Sequence, residues 1–191
     1  MAKMRRRGVR IPPTTSELEV QATVYDVLHG GAVEVGRKFT KPDDDWWPMW
    51  LVATPTQGTM MVPETLRDNV EKGRMTAAVA AFAQKVSATA IGHVHSIWHI
   101  PPEKVSDKRR DEIFALANAQ DGSTEGVPER EEAVMITVYT ATTFRMLLAP
   151  ITRHDNAPPT LGRFELAHSS DAGDLSGRMT DPLRDALRKY G

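Results

Sequence analysis

The densest run of chemically capable side chains in the sequence is Gly92-His93-Val94-His95-Ser96-Ile97-Trp98-His99. Residues two apart on an extended strand share a face, so His93, His95 and His99 are expected to point the same way. Neighbouring members then stand about 7 Å apart at the backbone, close enough for two imidazoles to reach one metal ion. Glu131, Glu132, His154 or the Asp43–Asp45 run would supply further ligands, and a zinc-like divalent ion held there would activate water for hydrolysis. The same histidines equally suit a half-exposed strand face that titrates mildly and holds no metal, and no cofactor is expected on that reading.

The second group is Asp43-Asp44-Asp45-Trp46-Trp47-Pro48-Met49-Trp50. If exposed, Trp46, Trp47 and Trp50 would form an aromatic platform for a partner. The alternative is that the tryptophans head a strand and enter the core while the aspartates stay solvated. The acidic run would repel phosphate and argues against base stacking.

The third group is basic. Lys3, Arg5, Arg6, Arg7 and Arg10 give residues 1–10 a charge of +5, against -6 for residues 11–191, and this asymmetry underlies the net charge of -1. Five cations in ten residues could contact nucleic acid phosphates or an acidic protein surface. No helix-turn-helix, zinc-finger or RNA-binding signature accompanies them. Pro128-Glu129-Arg130-Glu131-Glu132 adds paired carboxylates before a strand, with acid–base work or a solvated loop end as the two readings. The sequence has no G-x-S-x-G, P-loop or G-x-G-x-x-G pattern.

The elements that must position these groups follow from periodicity. Residues 1–15 show none, and Pro12-Pro13 is extended, so they are expected to be an arm without fixed structure. Residues 16–29 carry both an alternating pattern and a Ser16-x-x-Glu19 capping box. A helix ending at Gly30-Gly31 is favoured. Met49–Thr54 and Thr59–Val62 read as a hairpin around Pro55-Thr56-Gln57-Gly58. Residues 64–86 read as the clearest helix, and Ala88–Ile100 as the histidine strand, stopped by Pro101-Pro102.

Residues 101–131 form a long polar insertion, mobile or functional, with one short helix around Ile113-Phe114. Ala133–Thr140 and Thr143–Ile151 read as the best hairpin, and Leu161–Leu166 as an edge strand. Residues 168–191 are expected to be a loop and a short helix starting at Thr180-Asp181-Pro182.

The fold class expected is α+β: a mostly antiparallel sheet of five to six strands with helices on it, in the order α-β-β-α-β-β-β-α, preceded by the basic arm. One α+β domain spans 16–167. With 191 residues and no cysteine, the chain needs no disulfide, and thiol chemistry and Cys-metal sites are excluded. No apolar run approaches the roughly 20 residues of a membrane span, and no signal-type h-region follows the N-terminal cations, so no membrane partner and a cytoplasmic location are expected. A soluble, non-catalytic protein that binds a protein partner or self-associates, in a regulatory or virion-type assembly, fits these features best. A His-x-His metal-dependent hydrolase and a sequence-independent nucleic-acid accessory protein are the alternatives.

Overall fold

A computed structural model describes residues 4–12, 16–64, 69–119, 126–171 and 180–188. The chain is α+β, and its described residues form four α-helices and a curled antiparallel sheet. The strands are β1 (Met4–Arg10), β2 (Met49–Ala53), β3 (Gln57–Pro63), β4 (Ala90–His99), β5 (Glu131–Thr140), β6 (Thr143–Thr152), β7 (Thr160–Leu161) and β8 (Glu165–Asp171). The helices are α1 (Glu17–Gly36), α2 (Asn69–Lys85), α3 (Asp107–Ala119) and α4 (Thr180–Arg188), with a 3-10 turn over Pro102–Lys104. The sheet order is β1-β3-β2-β4-β5-β6-β7, and β8 also pairs with β6.

Strand alternation sends side chains to two separate cores. On one face, Val20, Val24, Leu28 and Ala32 of α1 pack on Leu51, Val94, Val134, Ile136 and Val138. On the other, Met75, Val79 and Ala83 of α2 and Leu183, Ala186 and Leu187 of α4 pack on Trp50, Val52, Ile91, Tyr139 and Phe144. Gly92 sets the approach of α1: a Cβ there would lie 2.4 Å from both Leu28 Cδ1 and Val24 Cγ1.

Helix α1 starts where the capping box places it. The Ser16 hydroxyl accepts from the Glu19 amide, and the Glu19 carboxylate accepts from the Ser16 amide. It does not stop at Gly30-Gly31. Leu28 and Ala32 lie fully buried on one stripe, and Trp46 Nε1 donates to Ala32 O at 2.8 Å, so tertiary packing carries the helix to Gly36. At the end of α2, Ser87 takes the left-handed conformation (φ 51) that glycine usually supplies, and the Ala88 amide reaches back to Ala83 O at 2.9 Å.

Several sequence expectations are corrected. The sheet holds seven to eight strands rather than five to six. The basic arm is not unstructured over its described part. It is edge strand β1, registered on β3 from Met4↔Pro63 to Arg10↔Gln57. An edge strand needs only one hydrogen-bonded neighbour and tolerates charged side chains, so hydrophobic alternation is a poor detector of it. The expected single edge strand over Leu161–Leu166 is instead the start of two, β7 and β8, and β8 takes 168–171 from the expected C-terminal loop. The expected helix over 64–86 is described from Asn69, and residues 65–68 lie outside the described residues.

Candidate functional site

The histidine strand β4 lies in the middle of the sheet, between β2 and β5. Its register places His93 opposite Trp50 on one side and Thr137 on the other. All three belong to the face covered by α2 and α4. The His93 ring stacks on Trp50, with centroids 4.9 Å apart and planes at 14°, and on His95 at 4.2 Å and 29°.

Trp50, His93 and Thr137 are buried, and His95 is partly buried. Trp50 Nε1, His93 Nε2, His95 Nδ1 and Thr137 Oγ1 are sealed from solvent, and none has a hydrogen-bond partner. Burial pushes the His93 imidazole well below its ordinary value of 6.5, and the neighbouring His95 adds to this. His95 is lowered to about 4, by burial first and by the Lys72 ammonium second. Both rings are therefore neutral at pH 7. Among the described residues, no carboxylate orients them as it would in an acid–base relay.

His99 shares the strand face, but it lies six residues, or about 20 Å, from His93. It is half-buried near Glu103, Lys104 and Glu131. Burial lowers its imidazole, Glu131 and Glu103 oppose that shift, and Lys104 adds to it. Among the described residues, no group of three or more His, Asp or Glu side chains could hold a metal ion. The expected convergence of His93, His95 and His99 is thus not what the strand builds. Alternation put them on one face, but His93 and His95 stack ring on ring, and chain length keeps His99 away.

Four of the five acids considered as further ligands are engaged elsewhere, Glu132 and Asp45 by one arginine that sequence reasoning missed. Arg153 forks onto Glu132, with Nε to Oε2 at 2.8 Å and Nη2 to Oε1 at 2.5 Å. It also donates to Asp45 Oδ1 at 3.2 Å and to Asp44 O at 2.6 Å. Ser96 donates to the other Asp45 oxygen at 3.0 Å. The Asp44 carboxylate accepts from the Thr40 and Lys41 amides, which hold it below its ordinary value. Lys104 pairs with Glu131, and His154 Nε2 meets Thr160 Oγ1 at 3.2 Å. Nothing in the spacing of Arg153 announces this role, because its partners lie 21 and 108 residues away.

The tryptophans do not form a platform. Trp46 is buried in the α1-side core and packs edge-on to Phe39 at 4.6 Å. Trp50 is buried in the opposite core. Trp47, 51% exposed, is the one of the three that reaches the surface. On β1, Arg5 Nε meets Glu64 at 3.4 Å, and the Arg6 guanidinium lies 4.7 Å from the Phe82 ring centroid. Arg7 and Arg10 are exposed and form no ion pair among the described residues. Lys3 lies outside the described residues.

The expected polar insertion forms a lobe at the C-terminal end of β4. Of the described α3 side chains only Ile113 is buried. Polar and ring contacts tie the lobe down. Arg109 grips Glu129 with two bonds, at 2.9 and 3.2 Å, and the Arg130 guanidinium lies 4.3 Å from the Trp98 ring centroid. Phe114 (61%), Leu116 (47%) and Trp98 (51%) stay exposed. Leu166 on β8 is also exposed.

A scan against protein-family models matched no family, and searches of curated proteins and of solved structures found no match. Among the described residues, no helix is long and apolar enough to cross a membrane.

Proposed function

We propose that the chain is a non-catalytic assembly protein that associates with further copies of itself through protein–protein contacts. The observation that carries this reading is α3. A 13-residue helix normally buries an apolar stripe, yet this one buries a single described side chain and presents Phe114 and Leu116 outward. Large exposed apolar residues in a lobe held by ion pairs suit a surface that is covered on assembly.

A second copy is the partner because the sheet's two outer strands differ in charge. β1 carries Arg5, Arg6, Arg7 and Arg10, whereas β8 carries Glu165 and Asp171 and no Lys or Arg. Three carboxylates, Glu103, Glu131 and Glu165, line a cleft with Leu166, His99 and one cation, Arg163, at the end of the sheet from which the lobe springs. The basic strand of one copy complements this acidic end of another, an arrangement that propagates head to tail. Light scattering on the intact chain and on lobe and charge-reversed variants tests the reading.

A second reading has one observation behind it: Arg7 and Arg10 are exposed and have no ion-pair partner among the described residues, as phosphate-contacting residues would be. It expects salt-sensitive retention of nucleic acid that Arg7→Glu/Arg10→Glu abolishes. Deletion of residues 1–10 is a less clean test, because it also removes edge strand β1. The metal-dependent hydrolase has no comparable support, since His93 and His95 stack and His99 stands apart.

A further inference from the structure

A cleft of about 550 Å³ lies between the second half of α1 and the segment 159–164, on the side of the sheet away from the stacked histidines. Its volume is that of a small-molecule site. Neither wall can shift freely. A Cβ on Gly36 would lie 2.9 Å from the buried Trp46 ring, so the last turn of α1 sits hard on that indole. A Cβ on Gly162 would lie 2.7 Å from Pro150, and the Gly162 amide donates to Pro150 O at 2.8 Å, so the opposite strap is held against β6.

The lining chemistry is one-sided. Arg37 and Arg163 supply two guanidiniums, His29 an imidazole and Tyr25 a phenol, and no lining residue is acidic. This stands out on a chain with 25 acidic residues. Glu34, outside the lining, reaches Arg37 only at 3.8 Å and Lys38 at 3.3 Å. Arg163 also borders the cleft that holds Glu165, yet it forms no ion pair among the described residues. Asp26 is the nearest acid to Tyr25 in its effect. Burial and that carboxylate raise the phenol, which keeps it a hydrogen-bond donor at pH 7.

The apolar part of the cleft is aromatic. Tyr25 and His29 stack at 5.6 Å and 28°, and Phe164 meets His29 edge-on at 5.2 Å and 73°. An edge-on pair leaves ring faces on which a planar ligand can lie. Guanidinium forks match phosphate oxygens in geometry as well as in charge. The geometry points to a binding site for a small planar ring that carries a phosphate group, of the nucleoside monophosphate class, with Arg37 and Arg163 on the phosphate and Tyr25, His29 and Phe164 against the ring.

Isothermal titration of the full chain with adenosine 5′-monophosphate tests this, with adenosine and inorganic phosphate titrated separately. The nucleotide is expected to bind at least about tenfold more tightly than either fragment. Arg37→Ala/Arg163→Ala is expected to weaken it about tenfold or more, and Phe164→Ala to remove the advantage over inorganic phosphate. Lys85→Ala, exposed at the end of α2 on the other face of the sheet, should leave binding unchanged, and circular dichroism checks that each variant folds. No binding at millimolar nucleotide, equal affinity for a fragment, or undiminished binding by the double arginine variant overturns the site. A 5′-phosphorylated oligonucleotide that binds where the mononucleotide does not also overturns it. None of these results bears on oligomeric state, so this site and the assembly reading fail separately.

Discussion

His93 and His95 stack at 4.2 Å in the middle of the sheet, each with a sealed ring nitrogen that has no hydrogen-bond partner. Burial disfavours the charged form of both imidazoles, and His95 beside His93 and Lys72 beside His95 add to this. Protonation of this pair is therefore expected to weaken the packing between the sheet and α2.

That relationship fixes a pH dependence. Both folded-state values lie below the unfolded value of 6.5, His95 at about 4. Between those limits the unfolded chain binds more protons, so stability is fully present above about pH 6.5 and falls as the pH drops. The slope is about 1.4 kcal/mol per pH unit for each imidazole. Urea denaturation from pH 7.5 to 4 should show this loss, and His93→Phe/His95→Phe should flatten it. An acid limb of unchanged slope in the double variant would refute the assignment.

Gly92 is expected to tolerate no side chain. Gly92→Ala would drive a methyl into Leu28 and Val24, at 2.4 Å from each. Overpacking of this kind costs about 1–3 kcal/mol. Thermal unfolding should register the loss, and in a chain that also carries Leu28→Ala the combined loss should be less than the sum of the two single losses, because the shorter side chain opens room at the point of contact.

Arg153 is expected to hold the 42–45 loop to the sheet. Arg153→Ala leaves Glu132, mostly buried at 10% side-chain exposure, without its charged partner. A loss of about 1.5–3 kcal/mol in chemical denaturation is expected. Arg153→Lys should recover only part of it, because a lysine cannot make the two parallel bonds to Glu132 while reaching Asp45 and the Asp44 carbonyl. Full recovery by lysine would show that charge alone matters there.

Much of the fold was legible in the sequence, and the exceptions share a cause. The capping box at Ser16, the 49–63 hairpin, the histidine strand and the 131–152 hairpin all carry local signals: cap chemistry, turn residues or alternation. The reach of α1 past Gly30-Gly31 depends on Trp46 and on buried Ala32, which no local window contains. The strand at Arg5–Arg7 depends on β3 offering an open edge. The site was legible only as far as periodicity reaches. Alternation placed His93, His95 and His99 on one face, but ring stacking and sheet depth decided what they do. The burial of Trp46 and Trp50 in opposite cores follows from where α1 and α2 land, and the grip of Arg153 from strand pairing across 108 residues.

The charged sheet edges give a reciprocal test of how copies meet. Arg7→Glu and Glu165→Arg should each weaken self-association, and the two changes combined should restore it, since the contact is between opposite charges on different copies. Weakening by Arg7→Glu with no effect of Glu165→Arg would show that Glu165 is not the acid that meets β1.

The central claim is that the α3 lobe is covered by another copy. Size-exclusion chromatography with multi-angle light scattering measures this directly on the intact chain. The expected result is a mass that is a multiple of 21.2 kDa at about 100 µM, falling to 21.2 kDa for Phe114→Ser/Leu116→Ser with the fold retained. A mass of 21.2 kDa for the unaltered chain across that concentration range, or a multimer that the lobe substitutions leave intact, would contradict it.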